Sequence, residues 1–114
     1  MVLIAEDGRD LAGSATLLFR ATSAVARLYS IAVAPAVAGR GVASELLAAI
    51  ENVARERRCT HIRLEVQVTN HRAIARYKKT GYEVFGRRKG YYEDGGDALR
   101  LQKSLVGPDE LSRL

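Results

Sequence analysis

A chain of 114 residues has room for one modest core, and 47% hydrophobic with 27% charged residues excludes a disordered chain. The single Cys59 excludes an internal disulfide, and with no secretory signal visible a cytoplasmic protein is the expectation. The net charge of +5 comes from scattered basic residues without interleaved aromatics, which weighs against nucleic acid as the main partner.

In chain order, Val2–Ala5 reads as a strand and Asp7-Gly8 as a hairpin turn. Leu11–Phe19 reads as the partner strand, with Arg20–Ala26 as a connection. Leu28–Val33 is a third strand, ended by Pro35. The apolar window around it is interrupted by Arg27 and Pro35 and is too short to span a membrane. Ala43–Arg58 is helical: Leu46, Leu47, Ile50, Val53 and Ala54 share one face, while Glu45, Glu51, Asn52, Arg55 and Glu56 take the other. His61–Val68 alternates as a half-buried strand. Asn70 reads as the N-cap of a helix over His71–Thr80, stopped by Gly81. Tyr82–Phe85 is a strand, 86–96 a glycine-rich loop, and Ala98–Lys103 the last strand. The order β-β-β-α-β-α-β-β predicts an α/β layered fold with a mixed sheet, one domain over 1–107 and a tail over 108–114.

The turn AGRGVAS, from Ala38 to Ser44, opens the first helix. Gly39 and Gly41 let backbone approach a ligand, and a helix start favours phosphate, but a plain strand-to-helix turn needs glycine too. No Gly-Lys-Ser/Thr follows, so the turn is not a Walker A loop, and Ser44 replaces the third glycine of the dinucleotide fingerprint. Alternation alone leaves Glu65 a solvated surface charge, and Tyr77 a core aromatic with a wet hydroxyl. His61 and His71 lack ligand companions and read as surface residues, and Cys59 as a small structural residue; no metal site is expected.

The run SIAVAPAVAGRGVASELL, followed in order by LEVQVTNHRAIARYKKTGYEVFGRR, resembles the GCN5-related N-acetyltransferase (GNAT) family. The tail GYYEDGGDALRLQKSL is similar to the subgroup acting on protein N-termini, including the ribosomal-protein alanine acetyltransferases. The resemblance covers about Leu28–Leu105. It implies a GNAT-like acyl-CoA N-acyltransferase fold in which two parallel strands splay into a V that receives acetyl-CoA. Backbone of Ile31, Ala32 and Val33 would then pair with pantetheine, and amides of Gly39, Arg40, Gly41, Val42, Ala43 and Ser44 would hold pyrophosphate. Glu65 is implied as the base, Tyr77 as the acid and Asn70 as a pantetheine contact, with its capping role compatible. Tyr91 and Tyr92 are implied as acceptor contacts, while Glu93, Asp94 and Asp97 either attract a cationic amine or form an ordinary charged hairpin.

Two departures stand out. Ala38 replaces the usual Gln or Arg, which predicts weaker CoA affinity but not its loss, because backbone amides do most of the phosphate binding. The chain also starts at what resembles the family's second strand, without the first strand and helices. The acceptor pocket is then more open or completed by a partner, and the uncovered Val2–Ala5 edge makes a homodimer a hypothesis. The function implied is acetyl transfer from acetyl-CoA to a primary amine, an N-terminal α-amine or a small polyamine-type acceptor. The competing reading is a CoA-binding module without turnover.

Overall fold

The computed structural model describes residues 1–8 and 10–106; the expected tail over 108–114 lies outside them. Six strands, β1 (Val2–Asp7), β2 (Asp10–Leu18), β3 (Val25–Val33), β4 (His61–Gln67), β5 (Glu83–Arg88) and β6 (Ala98–Ser104), form one sheet in the order β1-β2-β3-β4-β6-β5. The pairing is antiparallel except between β3 and β4, so the predicted mixed sheet stands. Helix α1 (Val42–Glu56) links β3 to β4, as a parallel pair requires, and α2 (His71–Lys79) follows β4. β1 is the outer strand, with Val2 and Ile4 exposed and Leu3 and Ala5 packed against the core. Among the described residues no helix is long and apolar enough to cross a membrane.

The core follows the two periodicities. Helix α1 buries Leu46, Leu47, Ile50 and Ala54, and β4 buries alternate residues Ile62, Leu64 and Val66. These join Ala15 and Leu17 of β2, Ala26 and Leu28 of β3, Leu101 of β6, and Ile74 and Tyr77 of α2 in one cluster. Each fully buried Leu or Ile contributes about 1.5–3 kcal/mol, so α1 is held by its packed face more than by propensity.

Several boundaries move. β3 begins at Val25, three residues before the expected start, because Val25, Ala26 and Arg27 pair with His61, Ile62 and Arg63. Helix α1 ends at Glu56, short of Arg58, which adopts a left-handed φ of 60°. β5 extends through Gly86, expected as loop, to Arg88, since a bulge between Val84 and Gly86 restores its pairing with β6. Phe85, the bulged residue, lies between the Arg63 and Arg100 guanidiniums at 4.9 and 4.7 Å. Cys59 is buried, as its structural reading requires, whereas His61 is half-buried, with its ring nitrogen 2.9 Å from the Thr60 hydroxyl.

Glu51 is the main correction on α1. Expected on the polar face, it is only 6% exposed. Lys103 Nζ of β6 donates to its Oε1 at 2.7 Å, and the Tyr82 hydroxyl donates to its Oε2 at 3.2 Å. Its carboxylate therefore ties α1 to both sides of the β5–β6 hairpin, and a buried charge persists only with such partners. Burial first, then the Glu51 charge and hydrogen bond, push the Tyr82 hydroxyl far above its ordinary value of 10.0. The unfolded chain loses that proton near the ordinary value while the folded chain retains it, so stability is fully present below about pH 10 and falls above it. Urea midpoints measured between about pH 8 and about pH 11 should show this decline. Tyr82→Phe should flatten it, leaving only the part due to other buried tyrosines; an identical decline in both proteins would refute the assignment.

Candidate functional site

The site begins where the sheet opens. β3 and β4 are paired only from Val25–His61 to Arg27–Arg63, although both strands run on. Past that rung the two strands separate. On its other side β3 shifts register against β2: Leu17 faces Leu28 and Thr16 faces Ser30, which leaves Tyr29 without a partner. Such a bulge bends the strand that carries it. The result is a fork with one unpaired backbone edge on each arm. A cavity of about 410 Å³ lies in it, lined by Leu28–Ile31 on one arm and Leu64–Gln67 on the other, with Asn70, Tyr77 and Tyr92.

A second cavity, about 590 Å³, continues from Val33 over Ala38, Gly39 and Gly41 to Ser44. Gly39 and Gly41 have φ of 83° and 84°, a region that L side chains rarely adopt. Gly41 is the N-cap of α1, and its carbonyl accepts from Glu45 N at 3.0 Å. The amides of Val42, Ala43 and Ser44 form the unpaired first turn, since a helix start has no residue four back to bond. Arg40 departs from expectation. Its amide donates to the Val37 carbonyl at 3.2 Å, and its side chain lines another cavity, beside Glu6 and Glu45. The bare amides therefore centre on the first turn of α1.

Of the two residues implied for proton transfer, Tyr77 is 8% exposed and edge-on to Tyr82, with ring centroids 5.5 Å apart. Burial pushes its hydroxyl above the ordinary 10.0, Arg76 opposes this and Tyr92 adds to it. Tyr77 is thus held protonated at neutral pH. Glu65 is not a solvated surface charge. Its side chain is 8% exposed, with Oε2 3.2 Å from Arg27 Nη2 and Oε1 3.9 Å from Arg100 Nε. Both residues line the fork cavity. Asn70 caps α2, accepting from Ala73 N at 3.2 Å, which leaves its amide NH2 to donate.

Tyr91 and Tyr92 stand edge to face at 4.9 Å in the β5–β6 connection. They share a cavity of about 440 Å³ with Arg27, Tyr29, Glu65 and Glu93, and Tyr92 lines the fork as well. Of the three acids there, two are occupied. Asp97 accepts from Gly90 N at 3.0 Å and from Arg87 Nη2 at 2.7 Å, which together hold its carboxyl below the usual range. Asp94 accepts from Gly96 N at 2.8 Å. The hairpin reading therefore fits Asp94 and Asp97, and of the three Glu93 lines the cavity.

Sequence reasoning passed over three residues. Arg72 and Arg76 line both the fork cavity and the cradle, joining them along α2. Their i,i+4 spacing, beside the buried Ile74 and Tyr77, was the available signal. Arg27 reads from the sequence only as an interruption of an apolar run.

Gly41 is testable without any ligand. A Cβ built there meets nothing within 4 Å, so Gly41→Ala suffers from backbone strain alone. It should cost about 1–2 kcal/mol in chemical denaturation. A neutral substitution would show that the turn relaxes out of its left-handed form.

Comparison with known proteins agrees with this geometry. The family model described as "Acetyltransferase (GNAT) family" matches residues 1–82. An N-alpha-acetyltransferase of Saccharolobus solfataricus is 38% identical over 79 residues, 68% of this chain and 47% of that protein. The streptothricin acetyltransferase of Streptomyces lavendulae is 34% identical over 92 residues, 81% of this chain and 48% of that protein. The chain thus spans about half the length of the curated relatives it matches. Among solved structures, the ribosomal-protein-S18-alanine N-acetyltransferase from Escherichia coli superposes with a TM-score of 0.84 at 25% identity, covering 96% of this chain and 72% of that one. With the forked parallel pair, the bare helix start and the family model all in place, the chain belongs to the acetyltransferase (GNAT) family.

Proposed function

We propose that the protein moves an acetyl group from acetyl-CoA directly to a primary amine, with a peptide or protein N-terminal α-amine as the first acceptor class. The observation that carries this reading is that the forked edges, Glu65 and Tyr77 line one cavity, which Arg72 and Arg76 join to α1's unpaired first turn. An extended chain with a pyrophosphate at one end fits such a path. The backbone edge of Ile31, Ala32 and Val33 would hold the pantetheine arm. The amides of Gly39, Gly41, Val42, Ala43 and Ser44 would take the pyrophosphate, with Arg72 and Arg76 adding charge where Ala38 supplies none. Bound there, acetyl-CoA supplies the activated thioester.

The remaining chemistry belongs to the protein. The acceptor ammonium must lose a proton before its lone pair can attack, and Glu65 is the carboxylate in the cavity that can receive it. The departing sulfur needs a proton, and the hydroxyl of Tyr77, protonated at neutral pH as a tyrosine is, can deliver it. Tyr91 and Tyr92 would pack over the acceptor. The α-amine reading is supported by the N-alpha-acetyltransferase relatives. A small-molecule amine is the second reading, since the streptothricin acetyltransferase aligns over 81% of this chain.

Mass spectrometry on a panel of peptides and polyamines with acetyl-CoA distinguishes these acceptors. CoA binding without turnover on any amine would favour a non-catalytic module. Tyr77→Phe should lower kcat by about 100-fold or more with CoA affinity nearly unchanged. Equal turnover would remove Tyr77 from the acid role. Arg72→Ala and Arg76→Ala should each weaken CoA binding by about 5- to 30-fold, and the loss should shrink as salt is raised. Unaltered calorimetric affinity in both variants would place the phosphates elsewhere.

A further inference from the structure

We infer that Arg27 is a positioning residue: a side-chain strap that takes over where backbone pairing of β3 and β4 stops, fixing Glu65 and holding the β5–β6 connection against the acceptor end. The inference rests on the acetyl-transfer reading only for its kinetic consequences; the strap itself is geometric.

Arg27 and Arg63 form the last backbone rung between the two arms. Beyond it, Arg27 Nη2 lies 3.2 Å from Glu65 Oε2 on the opposite arm. The same nitrogen donates to the Tyr91 hydroxyl at 2.6 Å. One guanidinium thus joins three segments: β3, β4 and the β5–β6 connection. Tyr91 in turn stacks edge to face on Tyr92, which lines the fork beside Tyr77. The position of Arg27 therefore sets where Glu65, Tyr91 and Tyr92 stand relative to one another.

The pair is only half open to solvent: the Arg27 side chain is 38% exposed and that of Glu65 8%. Nε of Arg27 is buried with no hydrogen-bond partner among the described residues, and so is Nε of Arg100 on the other side of Glu65. Buried donors are normally paired, and one left open on each side of Glu65 calls for a reason beyond folding. Arg also suits the task better than Lys. A planar fork reaches a carboxylate and a hydroxyl together, while an ammonium on a flexible stem holds neither in a fixed place.

The test compares wild type with Arg27→Met, Arg27→Lys and Tyr91→Phe. Amide hydrogen exchange over residues 90–96 should quicken in Arg27→Met and in Tyr91→Phe, whether or not an acceptor is known. With an amine that the wild type acetylates, Arg27→Met should lower kcat/KM for the acceptor by about 10- to 100-fold, while KM for acetyl-CoA moves by less than about threefold. Arg27→Lys should recover part of that loss. Unchanged exchange over 90–96 in both Arg27→Met and Tyr91→Phe overturns the strap. An equal loss on the acetyl-CoA side overturns the acceptor-end assignment. If Arg27→Met fails to fold, Tyr91→Phe, which removes one hydroxyl, decides by its exchange alone. A wild type that acetylates nothing refutes the functional reading and leaves the exchange result standing.

Discussion

The site depends on a parallel strand pair that stops being a pair. Three rungs join β3 to β4, and then each strand keeps its partner on the outer side and loses the one between them. Unpaired backbone edges inside a sheet are expensive unless something occupies them. Here the bulge at Tyr29 bends β3 out of pairing distance, and β6 holds β4 straight through the full run from His61–Ser104 to Gln67–Ala98. The opening is thus fixed on both sides by ordinary antiparallel pairing, and a ligand that pairs along it finds its geometry already built.

The bare start of α1 follows from the same strand. β3 runs into Pro35, a single 3-10 turn and two glycines of positive φ, and α1 starts with no side-chain cap. The first-turn amides are left bare, and α2 brings Arg72 and Arg76 to face them. At its other end α1 is secured by the buried Glu51, which binds Tyr82 and Lys103 beyond the fork. One helix therefore carries an unsatisfied start at the site and an over-satisfied anchor away from it. Stability and function are separated along its length.

In the β5–β6 connection the order comes from side chains. Asp97 closes the base of the β5–β6 connection through Arg87 and Gly90, and Asp94 closes its tip through Gly96. Those carboxylates are consumed by the loop itself, so Glu65 and Glu93 are the acids facing the cavity. The two tyrosines give that cavity its apolar, rigid wall.

The sequence by itself determined the element order, the glycine turn at the start of α1 and the strand carrying Glu65, because these rest on local periodicity, capping and turn chemistry. Asn70 declared its cap through spacing alone, and the tertiary structure bears it out. Local patterns stopped short where a distant partner decided. Val25–Arg27 became strand because β4 lies beside it, and Gly86 stayed in β5 because a bulge restored pairing with β6. Glu51 sits at the border of the apolar face of α1, four residues after Leu47, and only Tyr82 and Lys103, far along the chain, make it a core residue. Arg40 looked like part of the cradle by adjacency, yet the twist of one turn aims it elsewhere, while Arg72 and Arg76 arrive from another helix. Arg27 carried no signal at all: its meaning lies in a strand and a loop that meet it only in three dimensions, since side-chain recognition across a fork is a property of the assembled sheet.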